Sequence, residues 1–131
     1  MVVRFYDRQE EDNSLNGEDI SKLGSLSEFL SKLQEKPAFF CELIGQSNKL
    51  LVGLGRVRSC AQFSGIAGEP PYLMAVGSAG DLDGDELEFL INDTATPVPF
   101  RYSLLNQEII NVIDSFVDSE KRSPLVSWEE I

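Results

Sequence analysis

The chain has no histidine in 131 residues, and that absence removes much familiar catalytic equipment. Without imidazole there is no Ser-His-Asp or Cys-His unit within the chain. The commonest zinc ligand is gone too, and the two cysteines, Cys41 and Cys60, cannot make a structural zinc site alone. They are also too few for a disulfide framework, and neither sits in a C-x-x-C motif. Both are expected to be small buried apolar residues in a reducing compartment. No apolar run approaches the ~20 residues needed to span a bilayer. The start, Met1-Val2-Val3-Arg4-Phe5-Tyr6-Asp7, lacks the basic opening and long apolar stretch of a signal peptide. A cytoplasmic protein without metal or cofactor is the expectation.

Basic residues are scarce. Eleven Lys+Arg face 22 Asp+Glu, for a net charge of −11. Such a surface repels phosphates, which argues against direct contact with nucleic acid or anionic membranes. It favours a cationic partner. The excess is unevenly placed. Residues 1–36 carry five bases and eight acids, and residues 37–80 carry three bases and two acids. Residues 81–100 carry no base and six acids: Asp81, Asp83, Asp85, Glu86, Glu88 and Asp93. Residues 101–131 carry three bases and six acids. Over half of the excess therefore lies in one twenty-residue window.

The length suits one domain over 1–131, and 42% hydrophobic residues supply a core. Val2–Tyr6 reads as a strand, and 7–20 as a polar surface loop expected to be mobile. Ser25 stands three residues before Glu28, a capping-box spacing. Leu26, Phe29, Leu30 and Leu33 follow as one helical stripe, stopped by Pro37. Strands are expected at Phe39–Ile44, with Phe39, Cys41 and Leu43 on one face, and at Lys49–Leu54, Cys60–Ser64 and Tyr72–Val76. In the acidic window Leu87, Phe89 and Ile91 alternate with Glu86, Glu88 and Leu90, the mark of a half-buried strand. Thr94–Pro99 reads as an extended, proline-set connector. A second helix carries Leu105, Ile109, Val112, Ile113, Phe116 and Val117 on one side, with Ser103 as its N-cap. Lys121 and Arg122 complement its C-terminus, and Leu125–Trp128 reads as a last strand. The fold expected is α+β: a curved antiparallel sheet of about five to seven strands with two helices packed on one face.

Local motifs yield little chemistry. Asp81-Leu82-Asp83-Gly84-Asp85-Glu86 looks like a calcium loop, but Gly84 precedes the third acid instead of following it. It reads as a solvated acidic turn and partner surface. Gly53-Leu54-Gly55-Arg56-Val57-Arg58 starts like a dinucleotide fingerprint but lacks the third glycine and a following helix. A hairpin turn accounts for it. Trp128 is expected to be structural, with its indole N–H bonded to a neighbour.

Several strings resemble a known family. They are the Leu-rich helix before Pro37, Leu51-Val52-Gly53-Leu54-Gly55, the Cys60–Phe63 strand, and Tyr72 to Gly77. The helix carrying Phe116 and the tail Arg122-Ser123-Pro124-Leu125-Val126-Ser127-Trp128-Glu129 complete them. Over roughly residues 23–130 this pattern resembles the immunity proteins of type one in bacterial polymorphic toxin systems. The resemblance implies a small cytoplasmic protein that binds a cognate toxin domain, often a nucleic-acid deaminase, and blocks it, with no catalysis of its own; the leading expectation is a one-to-one inhibitor of a cationic toxin. A deaminase that engages nucleic acid needs a basic approach to its pocket. A carboxylate-rich strand and turn can occupy that approach, and opposite charge speeds encounter. The toxin-binding residues expected are Asp81, Asp83, Asp85, Glu86 and Glu88, extended by Tyr72 and Glu69. Two other classes compete: a cytosolic adaptor or chaperone for a secreted effector, and an enzyme working with carboxylates only.

Overall fold

The Ser25 side chain accepts the backbone N–H of Glu28 at 3.3 Å and starts helix α1, Leu26–Leu33. Its stripe of Phe29, Leu30 and Leu33 is buried. Helix α2, Asn106–Ser119, buries Ile109, Val112, Ile113 and Phe116. The two helices share one hydrophobic core with a single sheet face, which contributes Phe39, Cys41, Leu43, Leu50, Val52, Leu54, Ala61 and Ala75. The computed structural model describes residues 2–78 and 86–131.

The strands are β1 (Arg4–Asp7), β2 (Phe39–Ile44), β3 (Asn48–Leu54), β4 (Cys60–Gly65), β5 (Leu73–Val76), β6 (Glu86–Ile91), β7 (Thr94–Pro99) and β8 (Ser127–Glu130). They form one curled sheet whose path runs β7-β6-β2-β3-β4-β5-β8, with β1 paired to β2. The expected α+β architecture, two helices against a curved and mostly antiparallel sheet, is the one that forms. One junction is parallel. β6 meets β2 at the pair Phe39↔Leu90, with Leu90 N–H donating to Ala38 O at 2.9 Å. β1 takes the rest of that edge, from Asp7↔Cys41 to Arg4↔Ile44.

Three local expectations change. Thr94–Pro99 is strand β7 and not a connector. Pro97 and Pro99 are admitted because, among the described residues, β7 pairs only with β6, and an outer edge needs no donor. Ser103 does not cap α2. Leu104 is drawn into a bridge with Ser59, their N–H groups exchanging bonds of 2.9 and 2.7 Å, so Ser103 is buried and its hydroxyl is unpartnered. The helix begins after Leu105, whose N–H donates to the Glu108 carboxylate at 2.9 Å. The last strand starts at Ser127, two residues later than its β-branched sequence suggests.

Residues 7–20 are organised by the buried Asp7. Its carboxylate accepts the N–H groups of Gln9 and Glu10, each at 2.8 Å, and the Asn13 amide at 3.0 Å. Trp128 bonds as expected, its indole N–H donating to Ser123 O at 2.9 Å. Cys41 and Cys60 are free and buried, one on each face of the sheet.

Candidate functional site

The acidic strand forms as its alternation demands. Leu87, Phe89 and Ile91 turn toward the sheet face away from the helices, where Phe89 lies 5.3 Å from Phe40 between ring centroids. Glu86 and Glu88 are exposed on the opposite side of the β6–β7 hairpin. Neither carboxylate has a hydrogen bond or ion pair among the described residues. Asp93 is used locally, exchanging hydrogen bonds with Gln9. Asp81, Asp83 and Asp85 lie outside the described residues.

Strand register separates the remaining two candidates from these acids. Glu86 precedes the Leu90↔Phe39 pair, whereas Gly65, which donates its N–H to Glu69 O, pairs with Asn48 beyond the far end of β2. Nine strand residues intervene, roughly 30 Å along the strand direction at about 3.3 Å each. Tyr72 belongs to that far end as well. Its hydroxyl donates to Gly68 O, and its carbonyl accepts from Ile131 N–H at 3.0 Å. Tyr72 and Glu69 therefore lie at the opposite end of the strands from Glu86 and Glu88.

The face away from the helices holds a feature that no single segment advertises. Successive strand pairs place Tyr6, Glu42, Leu51, Gln62, Met74 and Glu129 in one cross-strand row. The sheet curls about this row until its two ends meet. Arg101 and Tyr102, which follow β7, bond the Glu129 carboxylate of β8, with Arg101 Nε at 2.9 Å and the Tyr102 hydroxyl at 3.0 Å. The Arg101 and Tyr102 donors hold the Glu129 carboxyl below its usual value. Burial and the neighbouring carboxylate push the Tyr102 phenol up. Between the ends lies a cavity of about 300 Å³, floored by Phe40, Leu51, Cys60 and Met74 and walled by Pro97 and Val98 of β7.

Gly53 permits this closure. A Cβ there would stand 2.8 Å from Cys60 Sγ and 2.9 Å from the Phe89 ring. The bare backbone lets Phe89 settle onto β3.

One glutamate and two bases stand beside Leu51, a residue of the cavity floor. Arg8 Nε bonds one Glu42 oxygen, and Lys49 Nζ lies 3.0 Å from the other. The Arg8 guanidinium also stacks 5.3 Å from the Tyr6 ring centroid. A second buttress lies at the far end of α2. Glu120, in the left-handed region at φ 57°, directs its carboxylate to the N–H groups of Ser47 and Asn48. Burial alone would raise its pKa, but those donors and Gln46 outweigh it and hold the carboxyl below the usual value.

The cavity offers little acid–base chemistry. Burial pushes the Cys60 thiol up to about 12, so it stays protonated at neutral pH. Among the described residues no Asp or Glu lines the cavity. Among the described residues no cluster of three or more His, Cys, Asp or Glu is arranged to hold a metal. No described helix is long and apolar enough to cross a membrane. Compared with protein-family models and with curated proteins, the chain matches none.

Proposed function

We propose that this chain is an immunity-type inhibitor: a cytoplasmic bacterial protein that binds a cationic toxin domain of the nucleic-acid deaminase class one-to-one and blocks access to its active site. It needs no cofactor for this and performs no catalysis. The observation that carries the reading is the pair Glu86 and Glu88. Both are exposed, and unpaired among the described residues, on the outer side of a hairpin at the sheet edge, directly following Asp81, Asp83 and Asp85 in sequence. A carboxylate kept free of internal partners retains its field for an incoming cation, and that field accelerates encounter. Tyr72 and Glu69 mark a separate margin at the other end of the strands, so a toxin gripping the hairpin engages them only if it is large.

Reversing charge at Asp83, Asp85 and Glu86 together to Lys tests the assignment. Association with the toxin domain should slow by about ten- to a thousandfold at low salt, and protection of toxin-expressing cells should fail. Full protection by the triple variant sinks it. The adaptor reading draws on the exposed apolar residues Val57, Leu105 and Leu125 around the start of α2. It separates cleanly: a client that stays enzymatically active while bound excludes inhibition.

A further inference from the structure

We propose that the cavity on the open face is a binding site for a small amphipathic carboxylate, an aliphatic chain of about six to ten carbons carrying an anionic head. Size comes first. A cavity of about 300 Å³ has room for roughly ten non-hydrogen atoms at ~30 Å³ each, at the small end of ordinary ligand pockets. Shape and lining select an aliphatic chain. Leu51, Met74, Ile91 and Val98 present flexible apolar surface, and Cys60 adds a protonated thiol.

The head group follows from what borders that slot. Gln62 lines it, and its side-chain amide makes no hydrogen bond among the described residues, which leaves its N–H groups for an acceptor. Lys49 is outside the lining itself and stands two residues from Leu51 on the same face of β3, diagonal to Gln62. It and Arg8 share a single carboxylate, Glu42. One acid between two bases leaves a positive excess at this point of a chain whose net charge is −11. A carboxylate head at the Gln62 and Lys49 end, with its chain directed toward Met74 and Val98, satisfies both features.

An added β-strand is a poorer occupant of the gap. Pro97 and Pro99 on β7 have no N–H to offer.

The test titrates the full chain with octanoate below its micelle concentration, read by calorimetry and by amide NMR shifts. Octanol and octyltrimethylammonium vary the head; hexanoate varies the chain. Saturable one-to-one binding of octanoate is expected, with shifts at Leu51, Gln62, Met74 and Val98. Hexanoate should bind about tenfold more weakly for the loss of two methylenes. The cationic analogue should be weaker than octanoate by at least about tenfold. Lys49→Gln should weaken octanoate severalfold and leave octanol unchanged. Thr96→Trp, on the half-exposed edge strand, should fill the mouth and abolish binding while circular dichroism stays constant. The proposal is overturned by an absence of saturable octanoate binding. It is overturned equally by octanol or the ammonium binding as well as octanoate, or by binding indifferent to Thr96→Trp. A toxin partner that loses affinity for the Thr96→Trp variant, with octanoate binding nowhere, would assign the cavity to a partner side chain and refute it.

Discussion

Phe89→Ala should detach the acidic hairpin without melting the helical core. Phe89 is 2% exposed and sits on Phe40 and on the bare backbone of Gly53. Among the described residues β6 joins the remainder of the sheet through one register pair, Phe39↔Leu90, and Phe89 is its most deeply buried side chain, packed in one cluster with Val98 of β7. Truncating a buried Phe to Ala costs about 3–5 kcal/mol. At 1.4 kcal/mol per decade that is roughly a hundred- to several-thousandfold rise in the open population. Because the loss falls on one subglobal unit, amide exchange should accelerate by that factor across β6 and β7 and far less in α2. Phe116→Ala serves as the contrast. Phe116 is fully buried in the other core, between α2 and the sheet, so its truncation should lower the urea midpoint and speed exchange everywhere. Native-state hydrogen exchange followed by mass spectrometry resolves the two patterns. Uniform acceleration in Phe89→Ala, or no acceleration above about tenfold, would refute the idea that the hairpin is a separately fastened unit.

The same division predicts thiol behaviour: neither cysteine should react with a disulfide reagent in the native protein, and Phe89→Ala should expose Cys60 but not Cys41, which lies under the helices. Glu120 sets an acid limb. Its folded pKa is depressed below 4.5, so its contribution is present above that value and fades as pH falls through the folded pKa. Glu120→Gln should therefore cost about 1 kcal/mol near neutrality and nothing at the acid end, seen as a flatter pH dependence of urea midpoints as pH falls below the ordinary glutamate value. Gly55→Ala should destabilise by about 1–3 kcal/mol in thermal melts, because the new Cβ would fall 2.3 Å from the Arg58 carbonyl oxygen, which no side-chain rotation relieves.

Alternation and helical stripes were legible because they report which side of one element is dry. Leu87, Phe89 and Ile91 turn to the sheet face away from the helices, and the α2 stripe to the helical core, as the periodicity of each segment implies. Local signals failed where a distant partner outbid them. Ser103 has the chemistry of a helix cap, yet the Ser59–Leu104 bridge pulls it inside. Pro97 and Pro99 argue against a strand in isolation and fit one at a free edge.

The residues along the chain determined that the protein is acidic, histidine-free and α+β, and that six carboxylates crowd into one window. Charge and hydrophobic period are properties of neighbours in sequence, so sequence suffices for them. Only the tertiary structure decided that Glu69 and Tyr72 stand apart from Glu86 and Glu88, and that an apolar cavity opens beneath the hairpin. Its lining comes from six strands that meet through register and curl. Those depend on Gly53 yielding space to Phe89 and on Glu129 joining the two ends of the sheet, long-range choices that no local pattern records.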